Sequence, residues 1–70
     1  MIQKGDTVTL TKPLSTRDHN GVLRWWAAGT RFRALADEQN GEVRAVDDGR
    51  GLRTILPTAA LTRTEVTSDD

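Results

Sequence analysis

The sequence predicts an all-β domain, and three observations carry that expectation. Apolar residues do not recur at helical spacing over any useful length. They alternate instead with polar residues in short runs bounded by turn residues, the pattern of half-buried strands. Asn40-Gly41 and Asp48-Gly49 are hairpin dipeptides, because both can adopt the positive φ of a type I′ turn. Seventy residues make one small domain, and a domain of this size buries only about 60% of the surface its unfolded chain exposes. Its core must therefore be efficient.

Thr7-Val8-Thr9-Leu10-Thr11 alternates cleanly and stops at Lys12-Pro13, where proline removes a ladder donor, so the first strand lies there. Ser15 to Gly21 is polar and turn-prone and reads as a long loop. A hairpin around Ala28-Gly29 follows, and then the two dipeptides separate strands near 30–38, 42–47 and 52–56. Pro57-Thr58-Ala59-Ala60-Leu61 reads as a single helical turn, with a last strand near 62–66. The domain is expected to span 1–66, leaving 67–70 as a frayed, disordered tail.

Composition excludes several classes of chemistry. No cysteine is present, so neither a disulfide nor a thiolate metal site supplements the core. No apolar run approaches the roughly 18 residues needed to span a bilayer, and MIQKGDTV lacks the apolar stretch of a signal peptide, so a cytoplasmic location is expected. Ten basic residues balance ten acidic ones, but residues 1–33 carry six basic and two acidic side chains, and 34–70 carry four and eight. The single histidine, His19, sits in a polar loop beside Asp18 and Asn20 and reads as a solvated turn residue. No nucleophile is placed beside a base, and no metal or cofactor is expected.

Lys4-Gly5-Asp6-Thr7-Val8 with a long loop after it, Ala28-Gly29-Thr30, two tight hairpins and Ile55 to Leu61 together give the chain a resemblance. It resembles the bacterial and phage SH3-like (KOW-like) small β-barrel proteins over about residues 4–63. The resemblance implies a barrel of about five strands with a short helical turn near 57–61, and a role in binding rather than catalysis. A stand-alone barrel of a phage or mobile element acting as an inhibitor of a host system falls within that role. Leu52 to Leu61 is also similar to the closing strand and turn of the plasmid-encoded type B dihydrofolate reductases. Their pore signature, Val-Gln-Ile-Tyr, is replaced here by Arg53, Thr54, Ile55 and Leu56, so only Ile55 matches and the enzyme's ligand-binding amide and phenol are missing.

The stretch from Arg24 to Arg33, RWWAAGTRFR, holds all three aromatic residues of the chain. With Ala28-Gly29 as a two-residue turn, Trp25 opposes Phe32 and Leu23 opposes Ala34 on one face, leaving Arg24, Trp26, Arg31 and Arg33 on the other. Trp25 is then expected in the core and Trp26 outside among arginines. Ala28-Gly29 also suits a type II turn, after which the strands diverge. Two readings of Trp26 stand side by side: a satellite of the core under loop 15–21, or the centre of a contact face. On the second, Arg24, Trp26, Arg31 and Arg33 bind an acidic protein surface; nucleic acid is the alternative partner, and a structural subunit of an assembly a third reading. Arg24 opposite Arg33 is a destabilising like-charge pair, to be relieved within the fold by Asp18, Asp47 or Asp48, or by an acidic or phosphate-bearing partner. With Asn40-Gly41 as a turn, Asp37 opposes Arg44 and Leu35 opposes Val46. Leu35 and Val46 either pack beneath the N-terminal strand or the C-terminal tail or form a small self-association patch, which beside an unpaired edge strand supports a homodimer.

Overall fold

A computed structural model describes residues 1–63, so the part of the expected last strand at 64–66 and the expected tail at 67–70 lie outside the described residues. The strands are β1 (Thr7–Leu10), β2 (Leu14–Arg17), β3 (Leu23–Trp26), β4 (Arg31–Ala34), β5 (Glu42–Asp47), β6 (Arg53–Pro57) and β7 (Leu61–Arg63), with a single 3-10 turn at Thr58–Ala60 before β7. The all-β expectation holds. Five strands form an antiparallel sheet in the order β6-β5-β4-β1-β7, and β2 and β3 form a separate antiparallel ribbon. Neither sheet closes on itself.

The polar segment expected as a loop contains β2. Thr16 pairs with Arg24 and Ser15 with Trp25, and the backbone ladder satisfies this stretch in spite of its polar composition. The ribbon leans on the edge of β6 through a bridge between Asp18 and Thr54. There the Thr54 hydroxyl donates to the Arg17 carbonyl at 2.7 Å.

Turn chemistry explains the topology. Thr30 N–H bonds the Ala27 carbonyl at 3.1 Å, and Gly29 has φ of 91° at the second central position, the type II pattern. This turn does not match strand twist, so β3 and β4 part. β3 pairs back onto β2, and β4 pairs with β1 through Thr7 to Arg33 and Val8 to Phe32. The expected pairing of Trp25 with Phe32 and Arg24 with Arg33 does not form. Asn40 and Gly41, at φ of 57° and 78°, do make the type I′ turn, closed by Gln39 and Glu42. Beyond it the register slips, because Ala34 pairs with Ala45 and two extra residues bulge out of the 35–38 side. At Asp48-Gly49 the loop is wider than two residues. Asp47 pairs with Leu52, its carboxylate accepts from Arg50 N–H and Leu52 N–H at 2.8 and 2.6 Å, and the positive φ falls on Gly51.

The core lies between the ribbon and the inner face of the sheet. Its largest fully buried side chains are Trp26, Phe32, Leu10, Leu56, Val8 and Val43. Trp26 and Phe32 meet edge to face with centroids 5.1 Å apart. The tryptophan assignment is therefore the reverse of the expected one: Trp26 is 2% exposed and Trp25 65%. Once β3 belongs to the ribbon, its even-numbered side chains point at the sheet, and Trp26 becomes core rather than satellite or contact. No described helix is long and apolar enough to cross a membrane.

Candidate binding face

The four residues expected to share a face are divided between two. Arg24 and Trp26 lie on the inner side of the ribbon, where each has a hydrogen-bond partner within the fold. The Arg24 Nε donates to the Asp18 carboxylate at 2.9 Å, and the Trp26 indole N–H donates to the Thr16 hydroxyl at 2.7 Å. The Arg50 guanidinium covers the Trp26 ring at 5.4 Å. Burial opposes the charge on Asp18, but Arg24 and the N–H groups of Val22 and Asn20 outweigh it and hold the carboxyl below its ordinary 3.8. Asp18 thus supplies the carboxylate that Arg24 needed.

Arg31 and Arg33 remain outside, on the outer face of the sheet, and the register gives them new neighbours. Arg33 pairs with Val46, and Val46 with Arg53, across three adjacent strands. In the next row Leu35 N–H bonds the Arg44 carbonyl, and Arg44 pairs with Ile55. The result is a checkerboard in which Arg33, Arg44 and Arg53 each have an aliphatic neighbour about 5 Å away on the next strand, whereas Arg31 lies between Thr9 and Asp48. Direct like-charge opposition across the strands is avoided, and Val46, half-buried, stands between Arg33 and Arg53. Leu35 and Val46 share this face, but diagonally rather than as an opposed pair.

No described carboxylate lies within ion-pair distance of Arg31, Arg33, Arg44 or Arg53. Two acidic residues that follow β4 are committed to backbone. Asp37 accepts from Lys4 N–H at 2.8 Å rather than facing Arg44, and Glu38 accepts from Ile2 N–H at 2.6 Å. These two bonds fasten the N-terminal segment and bury Ile2. Glu42 at the start of β5 and Asp48 past its end bracket the face.

Beside the face, where the tip of the ribbon meets β6, a groove of about 410 Å³ is lined by Arg17, Asp18, His19, Leu35, Ala36, Arg44, Arg53, Thr54 and Ile55. His19 is exposed but not idle: its Nδ1 accepts the Arg53 N–H at 3.2 Å on the edge of β6. Among the described residues no three His, Cys, Asp or Glu side chains gather as metal ligands.

Arg44, Arg53 and Ile55 were missed as site residues although their pattern is visible. Arg31, Arg33 and Leu35, Arg44 and Val46, and Arg53 and Ile55 each stand two apart in an expected strand. Their shared outward parity is the signal. Compared with known proteins, the chain matches no protein family, no curated protein and no solved structure.

Proposed function

We propose that the chain is a non-enzymatic binding module that presents the outer face of β4, β5 and β6 to an acidic protein partner. The observation that carries this reading is the alternation of Arg33, Arg44 and Arg53 with Leu35, Val46 and Ile55, with Arg31 beside Arg33 at its margin and no described carboxylate within ion-pair distance of any of the four guanidinium groups. Arginines between aliphatic side chains suit a protein surface that combines carboxylates with apolar contacts. The SH3-like barrel remains the reading of the architecture. It is supported by the sheet order, by the ribbon inserted between β1 and β4, and by the single 3-10 turn before β7.

The test is an affinity capture from lysate with wild-type protein beside the Arg31→Gln/Arg33→Gln double variant, with and without nuclease. A protein retained after nuclease and lost on substitution supports the reading. Capture that disappears with nuclease, and that falls steeply with added salt, moves the face to nucleic acid through counterion release. Capture indifferent to both substitutions overturns the face.

A further inference from the structure

Arg17 of the ribbon, whose guanidinium donates to the Gly21 carbonyl at 2.9 Å, lines the groove with Arg44 and Arg53 of the sheet around the aliphatic surface of Leu35, Ala36 and Ile55. The two buried polar residues of the lining have their bonds made. Asp18 is held by Arg24 and two backbone N–H groups, and Thr54 shares its hydroxyl with Thr16 and the Arg17 carbonyl. His19 accepts through Nδ1, so a neutral ring carries its proton on Nε2 and adds a donor. The polar side-chain groups left over here are therefore donors, set around an aliphatic floor.

From this juxtaposition we infer that the groove seats an acidic side chain of the partner together with a bulky apolar residue next to it. The inference rests on the protein-binding reading and names the chemistry of its partner. A volume of about 410 Å³ falls in the range of sites that enclose a small ligand, about 300–1,000 Å³, and accommodates one or two side chains. Charge complementarity selects the carboxylate. The apolar neighbour follows from Leu35 and Ile55, which are 37% and 48% exposed and which a phosphate backbone would leave uncovered.

The experiment is a titration of isotope-labelled protein with the blocked pentapeptide Glu-Leu-Glu-Phe-Glu, followed by backbone amide shifts. Its controls are the matching glutamine peptide and a short oligothymidylate. The expected result is movement of the Arg17, Leu35, Arg44, Arg53 and Ile55 amides, with binding about tenfold weaker for the glutamine peptide and for Arg44→Gln/Arg53→Gln. Ile55→Ser weakens the peptide too, while a dispersed spectrum reports that the variant is folded. Equal binding of the glutamine peptide, no shift up to millimolar peptide, or tighter occupancy of the groove by oligothymidylate overturns the inference. If the lysate partner depends on Arg31 and Arg33 but the peptide moves no groove amide, the groove fails and the face stands. If the peptide moves the groove amides but the lysate partner ignores Arg31 and Arg33, the groove stands and the wider face fails.

Discussion

The inner seam of the ribbon and the outer face of β4, β5 and β6 are both rich in polar groups, yet they use them in opposite ways. At the seam Arg24, Asp18, Thr16 and Thr54 bond one another or the backbone, and the Trp26 N–H is satisfied among them. On the outer face the guanidinium groups have no described acidic partner, and Arg33, Arg44 and Arg53 alternate with aliphatic side chains across the strands. Buried polarity must be paired because desolvation without a partner is costly, whereas exposed charge remains hydrated at little cost. The seam thus holds the ribbon to the sheet, and the outer face is left to solvent, where the proposed partner would meet it.

Substitutions at the two tryptophans break this comparison most sharply. Trp26→Ala removes the largest core side chain and is expected to cost about 3–5 kcal/mol, enough to unfold much of a domain this small. Trp25→Ala, on the exposed side of the same strand, is expected to change stability by no more than about 0.5 kcal/mol. Urea denaturation of both variants checks the pair, and equal losses would show that β3 does not present its even side to the core. Next in size, Thr16→Val leaves the Trp26 indole N–H and the Thr54 hydroxyl short of a partner, with an expected loss of about 1–3 kcal/mol by the same measurement. Thr16→Ser retains the hydroxyl and should recover most of it.

Asp18 gives an effect that depends on pH, complete near neutral pH and lost in acid. Its carboxyl is lowered in the fold relative to the ordinary 3.8. The stabilisation it contributes is complete above that ordinary value and is lost as pH falls through the lowered one. Thermal melts of wild type between about pH 5 and pH 2 should therefore show an acid decline that Asp18→Asn flattens. An unchanged decline in the variant would assign acid sensitivity to other carboxylates.

Much of the local structure was legible. Asn40-Gly41 fixed a type I′ turn, Pro13 marked the end of β1 after Leu10, and Pro57 to Leu61 supplied the helical turn. Half of the candidate face was legible too, since Arg31 and Arg33 are outside as expected. Trp26 was misplaced because a strand's alternation gives two faces without saying which one is inside. Arg44 and Arg53 were missed because they are far from the aromatic stretch in sequence and reach Arg33 only through the pairing of β4 with β5 and β5 with β6.

By itself, then, the sequence determined the all-β class, the places where the chain turns and the two-residue rhythm of each strand, all of which follow from local backbone sterics and side-chain alternation. Only the tertiary structure decided which strands pair, and with that which tryptophan is buried and which arginines share a face. The physical reason is that the Ala27 to Thr30 turn sends β3 and β4 to different sheets, so the orientation of each strand is set by partners distant in the chain.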